Sequence, residues 1–303
     1  MASDALVALI ADELHVPVGA AARAMAEFCR QRHGDAVLGV LFYGSCLRQP
    51  DQALTESLLD FYVIVDDYAA AYDNRLLAWA NALLPPNVFY VEMPWQGGQL
   101  RAKYAVMSMR QFAAGCQPTA RNVSIWARFC QPARLIWSKT PAINRALAEA
   151  LAQACRTMFG NALPLLEPDQ RIDPIAVWQR GFMATYAAEL RSESGDRALA
   201  IVAADEGRYR QIGDLILTEL QPQTLSREAA LRNWQGRRTL GKTLNYLRLI
   251  KAAFTFDGAV DYVMWKVRRH SGVVVPVSDW QRRHPLLAAP TLAWKLYRRG
   301  AFR

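Results

Sequence analysis

A glycine, a serine and an aspartate set between two apolar runs are the residues of this chain best suited to chemistry. From Gly39 to Asp67 the sequence reads GVLFYGSCLRQPDQALTESLLDFYVIVDD, with Tyr43-Gly44-Ser45 closing the first run and Asp60 opening the second. Glycine lets a backbone approach a phosphate closely, and a helix start just beyond Gly44 would offer free N–H groups. Ser45 adds a hydroxyl, and Asp60 is a hard oxygen ligand for Mg²⁺. These parts suit phosphoryl chemistry on a nucleotide. An aspartate entering a buried strand of sequence FYVIV must be paired or metal-bound, because an isolated buried charge is expensive. The plainer alternative is an exposed aspartate at a strand start.

Nucleotidyltransferases of the polymerase-beta type share this Gly-Ser, spacer, Asp arrangement. More closely, the stretch resembles the mitochondrial-type phosphatidate cytidylyltransferases, the translocator-assembly-and-maintenance family. Their pattern is close to YGSG, a Gln a few residues on, then hydrophobic-Asp-Phe-hydrophobic. Here stand Tyr43-Gly44-Ser45-Cys46, Gln49 and Leu59-Asp60-Phe61-Tyr62. NVFYVEMPW from Asn87 and KYAV from Lys103 are similar to the family's strand and KYGV element. ARFCQPARLIW from Ala127 resembles GRLxKPVKI, aligning Arg128 and Pro132, and TYAAELR from Thr185 resembles SYxGDxR. The helix GKTLNYLRLIKAAFTF from Gly241 sits where a Lys-Gly-bearing helix is expected, so the resemblance spans residues 35 to 270. Cys46 and Ala188 replace family glycines, Glu189 an aspartate and Gln131 a lysine, and Ala70-Ala71 stand where the family has Trp-His.

The resemblance implies Mg²⁺-dependent transfer of a cytidylyl group from CTP to phosphatidate, giving CDP-diacylglycerol and pyrophosphate. It implies that Tyr43, Gly44, Ser45 and Arg191 hold the nucleotide and that Asp60, Lys103 and Arg128 form the catalytic set. Positioned cations stabilise the negative charge that builds on a departing pyrophosphate, although any one Lys or Arg is more often a solvated surface charge. Related enzymes use Asp-x-Asp, and here the second position is Tyr62. Asp66 shares the face of Asp60, but six residues of strand is about 20 Å, too far to share an ion. Asp66 and Asp67 read instead as a strand-end turn. Glu92, expected on an adjacent strand, is the leading candidate for the second metal carboxylate, with Glu189 next. A solvent-facing strand residue is the other reading of Glu92. Tyr104 and Tyr186 read as core aromatics with a bonded hydroxyl.

Around these residues the apolar pattern predicts two helical stretches in 3–33, strands at 37–44, 59–66 and 87–93, and a helix over 74–84. Beyond position 119 the pattern turns helical, over 119–130, 142–159, 174–191 and 196–219. A helical pair at 240–254 and 258–269, a short VVVPV strand and a basic terminal helix follow. The expected class is α+β: a small mixed-sheet, polymerase-beta-like nucleotidyltransferase domain over 1–140, a helical domain over 141–235 and a basic helical segment over 236–303.

The chain has 303 residues, 52% apolar and 21% charged, long enough for one large or two ordinary cores. Five scattered cysteines without a CxxC pair argue against a disulfide framework or a zinc site and for a reducing compartment. The four histidines lie far apart and read as surface or cap residues. MASDALVALIADELH carries acids where a secretory leader would carry bases, and no run approaches the roughly 18 apolar residues of a membrane span. A cytoplasmic protein, peripheral on the inner face of a membrane, is expected.

Charge is unevenly placed. From Arg232 onward there are 11 Arg and 4 Lys against 3 Asp, a net of +12 within a chain of net +9. Such a segment implies an anionic partner, lipid headgroups or nucleic acid. The terminal LLAAPTLAWKLYRRGAFR sets Leu292, Trp294, Leu296, Tyr297 and Phe302 among Lys295, Arg298, Arg299 and Arg303. That mixture suits an interfacial helix on anionic lipid, with Trp294, Lys295, Arg298 and Arg299 at the membrane and nucleic acid the lesser expectation. The bland alternative is a helix docked on the body. Two rival functions stay open: nucleotidyl transfer to a soluble acceptor such as an RNA end, a protein or a metabolite, and a degenerate anion-binding module without catalysis.

Overall fold

The two apolar runs around the Gly-Ser turn become neighbouring strands in a five-stranded mixed sheet. β1 (Val37–Tyr43) pairs antiparallel with β2 (Leu58–Val65), and β3 (Asn87–Trp95), β4 (Gly98–Ser108) and β5 (Ala133–Ser138) complete the order β3-β4-β2-β1-β5. Only β2 and β4 run parallel. The computed structural model describes the chain except residues 1, 168–171, 189–194, 220–224, 256–257, 284 and 300–303. Glu189, Arg191, Phe302 and Arg303 therefore lie outside the described residues.

β4 and β5 are strands the apolar pattern does not announce. β4 carries Arg101 and Lys103 among its apolar residues, yet Leu100, Ala102, Tyr104 and Val106 alternate into the core. It follows β3 through a hairpin in which Gln96 and Gly97 both take positive φ, 46° and 80°. The expected helix over 119–130 reduces to one turn at Trp126–Phe129, and VVVPV has no strand partner among the described residues. Val275 is buried there with Ala288, Leu292 and Leu296, so the segment packs as an apolar strap.

The period of two splits the sheet's residues between two cores. Phe42, Phe61, Val63, Phe89 and Tyr104 belong to one, with α2 (Ala20–Gln31), α3 (Tyr68–Ala71) and α4 (Arg75–Leu83). Leu41, Tyr62, Ile64, Ala105 and Met107 belong to the other. On that second face lie α1 (Ala2–Leu14), α5 (Met109–Cys116), α6 (Trp126–Phe129), α7 (Pro141–Ala162), α8 (Pro174–Ala188), α9 (Gly195–Ala203) and α10 (Glu206–Glu219), all contributing to one apolar cluster. The arrangement is α+β. Asn74, Ser108 and Thr140 cap α4, α5 and α7 through their side chains, and Asp67 caps α3.

Close approach explains two glycines. A Cβ on Gly39 would sit 2.9 Å from Leu147 of α7, so β1 and α7 pack nearly backbone to side chain. α11 (Arg227–Thr255) crosses α8 where a Cβ on Gly241 would meet the Ala188 carbonyl oxygen at 2.3 Å. α11 runs unbroken through position 235 and is held at its start by Trp234 Nε1, which donates to the Asn161 carbonyl at 3.0 Å. A network around Glu13 ties α1, β5 and α10 together: Arg208 Nε donates to it at 2.5 Å, and so does the Ala133 amide at 3.2 Å. Burial works against the Arg208 charge, and Glu13 more than restores it, leaving its pKa above the ordinary arginine value.

α12 (Ala259–Ser271), α13 (Asp279–Arg283) and α14 (Pro285–Arg298) close the chain. Leu292 and Leu296 of α14 turn inward against α12 and the strap, whereas Trp294, Lys295, Tyr297, Arg298 and Arg299 are exposed. The Arg298 guanidinium lies 4.7 Å from the Trp294 ring, and Arg299 donates to the Val274 carbonyl. No helix among the described residues is long and apolar enough to cross a membrane. All five cysteines are buried free thiols. His33, expected at the surface or as a cap, is buried, with its ring bonded to the Ala71 carbonyl and the Tyr104 hydroxyl. It lies over β4, where desolvation also lowers its pKa.

Candidate functional site

The end of β1 and the start of β2 meet because the two strands run antiparallel, which sets Tyr43 opposite Asp60. On the other side of Asp60 the parallel register places Lys103, and beyond it Tyr90. Tyr43, Asp60, Lys103 and Tyr90 thus form one row across four strands, projecting from the face that carries Tyr62 and Ala105. Lys103 Nζ lies 3.8 Å from Asp60 Oδ1, with both side chains partly open to solvent. At that exposure the pair contributes little to stability. Its value is a carboxylate and an ammonium held side by side.

Gly44 turns the chain out of β1 at φ 89°, ψ −167°, a region that residues with a side chain rarely enter. A single turn of 3₁₀ helix, Ser45–Arg48, begins at once. A Cβ on Gly44 would lie 3.4 Å from Asp60 Oδ2, so the Gly-Ser turn rests against the carboxylate. Electrostatics report the same proximity. The Cys46 thiol is pushed up to about 11, first by burial and then by the Asp60 charge. Tyr262 of α12 is also raised, again by burial and then by Asp60.

Arg128 arrives from α6. Its Nη1 donates to the Tyr62 hydroxyl at 3.2 Å, and its guanidinium lies 5.5 Å from the Tyr43 ring centre and 5.9 Å from that of Tyr62. Tyr62 here braces a cation. Tyr43, Lys103 and Arg128 form the shared wall of two adjoining cavities of about 370 and 460 Å³. The first also takes in Gly44, Ser45, Arg48, Asp60, Gln131, Arg134, Tyr186 and Asp205. The second lies under α11 and α12 and is lined by Tyr62, Val88, Arg248, Leu249, Lys251 and Tyr262, among others. Four cations and no carboxylate line that second cavity among the described residues.

α11 reaches the site through its two inward bases. Arg248 Nε donates to the Pro85 carbonyl at 3.1 Å, and Lys251 Nζ to those of Leu84 and Pro86 at 2.5 and 2.7 Å. Burial, and then the neighbouring Arg248 charge, push the Lys251 pKa down to about 8. Sequence reading missed both residues. Their spacing of three on a helix within the basic segment was the available signal.

Glu92 is a correction. It was expected on the strand beside Asp60, but β4 lies between them, which separates the two residues by two strand spacings, roughly 10 Å of sheet. Glu92 instead accepts from the Tyr90 hydroxyl at 2.5 Å and pairs with Arg101 at 3.1 Å. Asp60 and Asp205 are the carboxylates among the described residues lining the first cavity. No group of three or more His, Cys, Asp or Glu converges among the described residues. A magnesium ion fits this donor set as the companion of a triphosphate, since Mg²⁺ commonly takes one or two carboxylates together with substrate phosphates and water. Asp60 and the Ser45 hydroxyl would be its protein donors.

A larger cavity, about 900 Å³, opens on the opposite face of the sheet between Arg32, Asp66, Asp73, Phe89 and Tyr104. It shares no residue with the row around Asp60 and holds no arrangement of nucleophile, phosphate cradle or converging cations.

No family model matches the chain, and no curated protein matches it. Among solved structures it is similar to a nucleotidyltransferase-like protein from Exiguobacterium sibiricum 255-15, at 13% identity and a TM-score of 0.26, over 92% of this chain and 91% of that one.

Proposed function

We propose that this chain is a nucleotidyltransferase, and that it moves a cytidylyl group from CTP to phosphatidate. The observation that carries the reading is the placement of Asp60 between the Gly44–Ser45 turn and Lys103, with Arg128 at the wall shared by two cavities. The identity of the two substrates rests on the sequence resemblance described above. In this reading the triphosphate lies in the first cavity along Gly44 and Ser45, facing Arg48 and Arg134. The acceptor phosphate lies in the second, among Lys103, Arg128, Arg248 and Lys251.

An acceptor phosphate oxygen attacks the α-phosphorus of CTP. The new P–O bond forms as the bond from that phosphorus to the bridging oxygen breaks, and pyrophosphate departs. A phosphate monoester with a second pKa of about 6 is largely ionised at pH 7, so no strong general base is required. Alignment and fixed positive charge then carry the rate. Lys103 and Arg128 face both substrates and offset the charge that shifts between them. When bound, magnesium would add Lewis-acid stabilisation of phosphate charge beside Asp60.

The deciding assay uses purified protein, CTP labelled at the α-phosphate, Mg²⁺ and phosphatidate in mixed micelles. Labelled CDP-diacylglycerol is expected. Label passing only to water-soluble phosphate acceptors would move the assignment to the soluble-acceptor class, and no transfer to any acceptor would leave an anion-binding module. Membrane contact through Trp294, Lys295, Arg298 and Arg299 belongs to the same proposal, and all four are exposed on or just beyond α14.

A pH dependence follows from Lys251. Its pKa near 8 leaves it mostly charged at pH 7 and mostly neutral at pH 9, whereas the acceptor stays a dianion across that range. The acceptor KM is expected to rise as pH passes about 8. Lys251→Met should raise KM at pH 7 and remove the inflection. An unchanged KM profile in that variant would place Lys251 outside acceptor binding.

A further inference from the structure

We infer that the exposed faces of α4 and α11 together form a docking surface for an anionic lipid bilayer, separate from α14. On α4, Leu76, Trp79 and Leu83 are 74%, 65% and 68% exposed. Their spacing of three and four residues puts them on one helical face, while Ala78 and Asn81 face the core. On α11, Tyr246, Leu249 and Ile250 make a second stripe, 59% to 64% exposed. The two helices are joined where Lys251 and Arg248 bind the carbonyls of Leu84, Pro85 and Pro86, directly after Leu83. Large side chains grouped at helical spacing on two joined helices are more than scattered surface leucines, and such grouping marks an interaction site.

Charge selects the occupant. On α11 the exposed bases are Arg232, Arg238 and Lys242, against one acid, Glu228, and α4 has the exposed Arg75 and no acid. A second copy would set like charge against like, and a nucleic-acid backbone would leave Trp79 and the leucines without an apolar partner. A bilayer with anionic headgroups satisfies both, taking the apolar side chains at the headgroup boundary and the bases in its surface potential. Continuity with the site points the same way. Leu249 is exposed and also lines the four-cation cavity, so that cavity borders the proposed membrane face. The purpose of the surface, presenting a lipid phosphate to Arg128 and Lys103, rests on the reading above, but the docking itself does not.

The test is co-sedimentation of the full chain with vesicles, without nucleotide. One set is phosphatidylcholine alone and the other equal parts phosphatidylcholine and phosphatidylglycerol. Binding is expected to the anionic set, reduced but not abolished by physiological salt because only the electrostatic part is screened. The paired variants Trp79→Ser with Leu83→Ser, and Tyr246→Ser with Ile250→Ser, should each weaken it by roughly tenfold or more through loss of apolar area taken from water. Circular dichroism should be unchanged, since these positions are exposed. Wild-type affinity in both paired variants, no binding by the full chain, or loss only with Trp294→Ser and Tyr297→Ser would overturn the proposal. So would a self-associated species in sedimentation velocity that the paired variants dissolve, because the occupant would then be a second copy. Turnover on a short-chain, water-soluble phosphatidate reads the reaction separately: a variant that keeps it and loses vesicle binding has lost docking alone.

Discussion

Asp60→Asn is expected to lower kcat for cytidylyl transfer about a thousandfold while leaving the fold intact. The substitution keeps the size of the side chain and removes its charge. What is lost is the anionic oxygen that rests against the Gly44–Ser45 turn and faces Lys103. Loss of metal-centred charge stabilisation costs several kcal/mol of transition-state energy, and each ~1.4 kcal/mol is a factor of ten in rate. The cost to stability is small by comparison. The Lys103 pair is partly exposed, and such pairs are worth about 0–1 kcal/mol. The melting temperature should therefore shift by no more than a few degrees, and the Cys46 thiol should titrate lower once the neighbouring carboxylate charge is gone. A variant that kept more than about a tenth of the wild-type kcat, a loss under ~1.4 kcal/mol, would remove Asp60 from the reaction.

Arg128→Met should produce the second largest loss, about a hundredfold in kcat, the scale seen when one positioned donor to developing charge is removed. Arg128, like Lys103, belongs to both cavity walls, so it is placed to follow charge from acceptor to leaving group. The same change has a structural cost that must be separated from the catalytic one. The Tyr62 hydroxyl loses its donor in a residue 1% exposed, which costs about 1–3 kcal/mol, and two ring contacts disappear. Arg128→Lys separates the two effects. A lysine keeps the charge and loses the planar fork, so kcat should recover partly while the melting temperature stays low. If Arg128→Met lowered only the melting temperature and left kcat and both KM values unchanged, Arg128 would be a brace for Tyr62 and nothing more.

The sequence by itself determined the pieces with a short-range signature. β1 and β2 are apolar runs of strand length, and the positive φ that Gly44 adopts is one that glycine reaches at little cost. The position of Asp60 on the face of Tyr62 and Ile64 followed from the period of two. Tertiary structure decided which side chains join them. A strand's alternation names a face but not the strand's neighbours, and β4, masked by its own Arg101 and Lys103, is inserted between β2 and β3. That single insertion hands the place beside Asp60 to Lys103 and leaves Glu92 to Arg101 and Tyr90. The spacing of Arg248 and Lys251 names one helix face, but what that face meets was illegible for a related reason. They enter only because Gly241 lets α11 cross against α8 and because the carbonyls of residues 84–86 accept from them. Both conditions lie some 50 to 170 residues away in sequence, where no local pattern reaches.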